Sequence, residues 1–262
     1  MKKNHAFTLI ELLVVISIIA LLLSVLVPAL GKAKAAAKAV ICRSNLKQWG
    51  LVWYIYLEDH NNKFPWGNYG NKDIGQTPEM GSWPTALGAY YDQIEEFRFC
   101  PAATKTDAPR SFRAYDVTAA DDSVSWHASG SYGINEWVHH PTRNVDKGAP
   151  FWGTNSVPQA GRVPLMAESN WWKIKLPRPD NPPPPFADYG SDEYGDIPYR
   201  GLARACVDRH NSKCNILFMD SSVRPVDLKK LWVLPWHKGW VPNPEIYNRD
   251  FWPEWMQSMK NP

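Results

Sequence analysis

The strongest pattern in the chain is its start. From Phe7 to Leu30 the residues are apolar almost without a break, FTLIELLVVISIIALLLSVLVPAL, with one charge at Glu11. As a helix rising ~1.5 Å per residue, this run is roughly 36 Å long and crosses a ~30 Å hydrocarbon core with some tilt. Beyond Pro28 and Gly31 the pattern changes without stopping. Ala33, Ala36, Ala37, Val40, Ile41, Leu46, Trp49, Val52, Trp53 and Tyr56 recur near helical period, with lysines elsewhere, which predicts an amphipathic continuation over 31–62. Its end is expected in the polar stretch Asp59 to Asn62, ahead of Phe64-Pro65.

The remainder, 63–262, reads as a head domain. Residues 67–122 carry much Gly, Pro, Asn and Trp and predict loop, with a short helix near Trp83 to Tyr91. Ser131 to Val138 and Val163 to Ala167 are short and β-prone. Leu176 to Asp196, with Pro182 to Pro185 in a row, cannot donate ladder hydrogen bonds and predicts a polyproline-type loop. Leu202 to Val207 and Asn215 to Met219 suggest a hairpin around Asp208 to Cys214, with Val223 to Val226 as a third strand. A Trp- and Pro-rich tail, 231–262, is expected to wrap the head. The fold class implied is α+β: one long helix packed on a small antiparallel sheet with long loops.

Glu11 is the residue in the apolar run that needs explaining. A carboxylate at the centre of a membrane helix costs on the order of 2.5 to 3.5 kcal/mol, and less near an end. It is either a tolerated charge four residues in or a group with a partner, and a new amino terminus made by cleavage before Phe7 would be the nearest cation.

These residues carry a resemblance. The leader 1–6, with Lys2 and Lys3, then the small Ala6, Phe-Thr-Leu-Ile-Glu and an apolar helix broken by Pro28 resemble the start of type IV prepilins and type II secretion pseudopilins. The resemblance implies a pilin-like fold and cleavage by prepilin peptidase between Ala6 and Phe7. It also implies methylation of Phe7 and an assembly role for Glu11. The partners implied are other pilin or pseudopilin subunits and an inner-membrane assembly platform, with a single membrane pass and the head in the periplasm or at the cell surface. The family's usual Gly before the cut is Ala6 here. A secretory signal peptide, the rival reading, has an apolar core of about 7 to 15 residues, shorter than this run. Lys32, Lys34 and Lys38 after the helix oppose the positive-inside expectation set by Lys2 and Lys3.

A narrower resemblance extends to about Asp227. Cys42-x-x-Asn-Leu-Lys-Gln, Asn61-x-Lys-Phe-Pro, Phe99-Cys100-Pro101 and Ser131-Tyr-Gly-Ile-Asn are similar to blocks of pseudopilin-like proteins that end in a His-x9-Asp-Gly motif. His210 and Asp220 fit that motif, with Ser221 where the family has Gly. His210 and Asp220 could form a metal or acid–base pair only if close in space. Loop hydrogen bonding is the favoured role.

Composition narrows the rest. The chain has 262 residues, 14 Trp, 23 Pro and a net charge of +3. Without the leader's lysines the balance is 27 basic against 26 acidic residues, so nucleic acid binding gains no electrostatic support. Four cysteines beyond a membrane favour disulfides; Cys42 with Cys100 and Cys206 with Cys214 are the expected pairs. Zinc ranks lower for want of a CxxC pair. Asp188, Asp192, Glu193 and Asp196 could hold Ca²⁺, although their spacing fits no known calcium loop and a solvated acidic loop is favoured. The scattered Trp residues raise an alternative function, a membrane-tethered protein binding polysaccharide through exposed faces, with Trp171, Trp172, Trp232, Trp236 and Trp240 as candidates. Most Trp are expected to be core. No familiar hydrolase, metalloprotease or phosphate-loop motif occurs, and no enzymatic role or resident cofactor is expected.

Overall fold

The computed structural model describes residues 9–66, 82–91, 96–103, 115–120, 125–140, 150–175 and 200–262. Helix α1, Leu9–Asp59, runs unbroken through Pro28. From Leu9 to Leu30 its apolar side chains are exposed, and by length and composition this segment can cross a membrane. In the upper half the face made by Cys42, Asn45, Leu46, Trp49, Val52, Trp53, Tyr56 and Leu57 is buried. The helix stops at an asparagine pair. Asn61 and Asn62 take left-handed φ of 54° and 59°, and Asn62 N–H donates to the Leu57 carbonyl at 2.7 Å, the closure of a Schellman end.

The anticipated stripe is correct from Leu46 to Tyr56 and wrong below it. Val40 and Ile41 are exposed, as are Ala33, Ala36 and Ala37. Among the described residues, Cys42 is the lowest buried residue of α1, and the large apolar residues below that level are exposed.

Helix α2, Trp83–Tyr91, lies against α1. Strands β1, Tyr115–Ala120, and β2, Ser125–Gly130, form an antiparallel hairpin. Its first strand fell in a stretch expected to be loop. The main sheet contains β3, Tyr132–Asn135, β4, Pro164–Glu168, and β5, Lys173–Ile174. It is completed by β6, Lys213–Phe218, and β7, Val223–Asp227, in the order β5-β3-β4-β6-β7. The sheet is mixed, not wholly antiparallel, because β5 pairs parallel to β3. To reach that edge the chain crosses over β3, and there a Cβ on Gly133 would sit 2.5 Å from the Trp171 carbonyl. Glycine is what lets the crossing lie flat.

Two further expectations change. Leu202 to Val207 forms no strand. A single helical turn, α3, Arg200–Ala203, leads into bonds from the amides of Ala205 and Cys206 to the Leu202 carbonyl. Ser131 to Val138 is strand only as far as Asn135, whose side chain accepts from Trp137 N–H and turns the chain into a 3-10 turn.

The sheet is covered on both faces. Under α1 lies one core with Trp49, Trp53, Trp83, Tyr132, Met166 and Leu217. Trp53 Nε1 donates to Met166 Sδ at 3.1 Å, and Trp83 Nε1 to the Trp172 carbonyl at 2.6 Å. The tail builds the second core on the opposite face, with Trp232, Trp236, Trp240 and Trp252 around Ile216 and Phe218. The indole N–H groups of Trp236, Trp240 and Trp252 donate to tail carbonyls of Leu231, Trp232 and Ile246, so these rings are buried with their polar edge satisfied. A short helix α4, Glu254–Gln257, closes the tail.

The β6–β7 turn explains the serine that stands in for glycine. Ser221 takes φ of 63°, and its carbonyl accepts from Lys47 Nζ of α1 at 2.7 Å. A left-handed Cβ-bearing residue costs about 1–2 kcal/mol, part of which glycine returns through its freer unfolded chain. Ser221→Gly is therefore expected to raise stability by about 0.5–1 kcal/mol, a shift of about 1–4 °C in Tm, and Ser221→Val to lower it. Thermal unfolding of the detergent-solubilised protein reads both.

Candidate functional site

Two places carry chemistry, one at each end of the part of α1 that matters. The first is the amino-terminal segment. Ala6 and Phe7 lie outside the described residues. Glu11 lies on α1, on a surface otherwise made of exposed Leu, Ile and Val.

The second is buried between stalk and sheet. Cys42 comes from the inner face of α1, and Cys100 from the loop after the 3-10 turn Glu96–Arg98. Glu168 is the last residue of β4, and His210 comes from the loop before β6. One potential ligand atom from each lies within 4.8 Å of the others. Cys42 and Glu168 are fully buried, and the side chain of His210 is 4% exposed.

Each member is held by its own element. Cys100 N–H donates to Ser131 Oγ at 2.5 Å, and its Sγ accepts from Ala102 N–H at 3.4 Å. Tyr132 Oη donates to Cys42 Sγ at 3.4 Å. Asn215 N–H donates to Glu168 Oε2 at 2.7 Å. His210 Nε2 stands 3.2 Å from Cys100 Sγ and 2.9 Å from Glu168 Oε1. That oxygen is wholly buried, and the imidazole is its partner. Next to His210, the Arg209 guanidinium donates to the carbonyls of Ser131 and Ser169 at 3.0 and 3.2 Å.

Electrostatics follow from this geometry. The hydrogen bond from Cys42 holds the Cys100 thiol well below its usual range against the penalty of burial, with His210 assisting. Burial pushes the Cys42 thiol up. For His210, desolvation lowers basicity but is outweighed by the bonds to Cys100 and Glu168, which raise it to about 9. Burial opposes ionisation of Glu168 too, and His210, Arg209 and the Asn215 amide overcome it.

Several sequence expectations are corrected here. All four cysteines are free thiols. Cys42 and Cys100 meet as members of a four-group cluster with Glu168 and His210. Cys206 and Cys214 lie in the second core, their thiols pushed up by burial; the hairpin that would have set them opposite one another does not form. His210 and Asp220 do not share a site, because strand β6 runs between them, about 20 Å at ~3.3 Å per residue. Asp220 is exposed and caps its own turn, accepting from Ser222 N–H at 2.9 Å and Ser222 Oγ at 2.6 Å. The partner that sequence reading missed for His210 is Glu168. Asp188, Asp192, Glu193 and Asp196 lie outside the described residues. Trp232 and Trp236 are completely buried, Trp172 and Trp240 nearly so, and the half-buried Trp171 is covered by the Arg204 guanidinium at 4.6 Å. Trp172, Trp232, Trp236 and Trp240 therefore present no flat face to a polysaccharide.

His210→Ala leaves the Glu168 carboxylate buried without its charge partner, and a broken buried pair costs about 3–5 kcal/mol. Asp220→Ala removes turn bonds at an exposed site and should cost about 1 kcal/mol. Denaturant titration of both variants checks the asymmetry; equal losses would mean that the two residues act as one unit.

Comparison with known proteins locates one family feature. A family model described as prokaryotic N-terminal methylation motif matches residues 1–27. Searches of curated proteins and of solved structures returned no match. The amino-terminal segment thus carries the methylation motif on a membrane-length helix, and the chain has the α+β layout of a pilin-like protein.

Proposed function

We propose that the protein is a structural subunit of a pilin-like filament, a type II secretion pseudopilus or a type IV pilus-like assembly, and that it works by packing rather than by catalysis. The observation that carries this reading is the methylation motif over residues 1–27 on a continuous helix of 51 residues. The leader is removed before Phe7 by prepilin peptidase, the new amine is methylated, and the head stays on the far side of the inner membrane. In the assembled state the Phe7 amine of one copy neutralises Glu11 of its neighbour, lifting the cost of a carboxylate among lipid-facing side chains.

The outer face of α1 supports the same reading. Above the membrane segment Val40, Ile41, Leu51, Tyr54 and Ile55 are exposed on the side of the helix away from the head. A lone soluble helix rarely carries such a face, whereas a bundle of stalks covers it.

Mass spectrometry of the mature amino terminus tests the processing: N-methyl-Phe7 is expected, and an intact Met1 or a start near Lys32 overturns it. Ala6→Leu should leave the precursor in the membrane. Cross-linking of membrane fractions tests assembly. Ladders that vanish in Glu11→Ala support the filament, and a monomer in the native protein removes it.

A further inference from the structure

We propose that Cys42, Cys100, Glu168 and His210 form a zinc site that pins the stalk helix to the head domain. The four side chains come from four segments far apart in the chain, yet their ligand atoms fall within 4.8 Å of one another. Around a tetrahedral Zn²⁺, with Zn–S of about 2.3 Å and Zn–N or Zn–O of about 2.0–2.2 Å, neighbouring ligand atoms lie about 3.3–3.8 Å apart. The separations of 2.9 Å and 3.2 Å from His210 Nε2 to Glu168 and Cys100 are somewhat shorter than that range, and all four ligand atoms lie within 4.8 Å, so an ion fits with a small outward shift of the imidazole.

The surroundings are those a metal needs. Ligands of a structural zinc are usually oriented by second hydrogen bonds. Here Ala102 N–H points at Cys100 Sγ, Tyr132 Oη at Cys42 Sγ and Asn215 N–H at Glu168 Oε2. The remaining oxygen, Glu168 Oε1, faces the cluster 2.9 Å from His210 Nε2, and a metal that displaces the imidazole proton takes over as the cation beside this buried carboxylate. Charge closes as well. Two thiolates, one carboxylate, a divalent ion and the Arg209 guanidinium sum to zero within the buried volume. Binding makes two metal–sulfur bonds, one metal–nitrogen and one metal–oxygen bond, and the protons that the thiols and imidazole carried pass to solvent. A donor set of two sulfurs, one imidazole and one carboxylate suits Zn²⁺ rather than Ca²⁺ or Mg²⁺.

The site has a mechanical sense. Cys42 marks the lowest point at which α1 is buried, and the other three ligands belong to the head. A metal there fastens the helix where it leaves the domain, and its binding energy becomes folding energy.

The test uses the full chain in detergent, purified under reducing conditions, stripped with a chelator and reloaded with Zn²⁺ or Co²⁺. One metal per chain is expected, with Co²⁺ giving a thiolate charge-transfer band and tetrahedral ligand-field bands. Cys42→Ser, Cys100→Ser and Glu168→Gln should each abolish the stoichiometric metal, and Cys206→Ser should leave it. Tyr132→Phe, which removes only an orienting bond, should weaken affinity about tenfold; far-ultraviolet circular dichroism confirms which variants are folded. Failure of the folded native chain to take up Co²⁺ overturns the proposal. So does a Cys42–Cys100 disulfide in protein isolated without reductant that zinc-loaded growth does not prevent. Equal uptake by native protein and Glu168→Gln removes Glu168 from the ligand set.

Discussion

The head is built on one stripe of α1. Between Cys42 and Leu57 the helix presents Leu46, Trp49, Val52, Trp53 and Tyr56 to the sheet, each large side chain contributing about 1.5–3 kcal/mol by leaving water. Helix α2 shares that face and is held through Trp49 and Trp83, whose rings meet edge to face at 5.2 Å. The contact is close enough that Gly50 stands where a Cβ would come within 3.1 Å of Leu217 on β6. Remove the stripe and five strands lose one of their two apolar supports; the tail supplies the other. That division makes the long Trp- and Pro-rich tail a structural necessity rather than an ornament of the surface.

Much of this was legible in the chain. Helix α1, its stop at the asparagines, α2, β4, β6 and β7 all follow from periodicity and turn chemistry, because each is a local pattern whose period matches the element formed. What was not legible depends on distant contacts. Strand β5 has two residues, and it exists because Gly133 permits the chain to cross. Leu202 to Val207 has the apolar run of a strand, but the edge beside β6 is taken by β4 and β7, so the segment closes as a turn and fills the second core instead. The tryptophans of the tail could equally have been surface or core from sequence, and the decision lies with carbonyls in the same tail that receive their N–H groups.

The buried cluster shows the same division more sharply. Cys42, Cys100 and His210 stood out as residue types, and the family-like blocks around them hinted that each was fixed for a reason. Cys42 and Cys100 were expected to meet, but nothing in the spacing joined His210 to them, since the intervals are those of a fold rather than of a loop. Glu168 gave no signal at all, being one acidic residue at the end of a strand whose other members are apolar. The His-x9-Asp spacing points the wrong way: ten residues are the length of β6 and its turns, so the spacing measures a strand while the histidine's actual partners lie on β4 and beside β3.

Two carboxylates in this protein face the same physical problem in different media. Glu11 lies among exposed apolar side chains on a helix long enough to cross a membrane, and Glu168 lies in a core from which water is excluded. Neither can remain ionised there without a cation close by, since isolated charge in a low dielectric is far more costly than in water. Glu168 has its cations inside the chain, in His210 and Arg209. In the proposed filament Glu11 would draw its cation from a second copy. The head's buried carboxylate is thus balanced within one chain, whereas the contact proposed between Phe7 and Glu11 belongs to the filament.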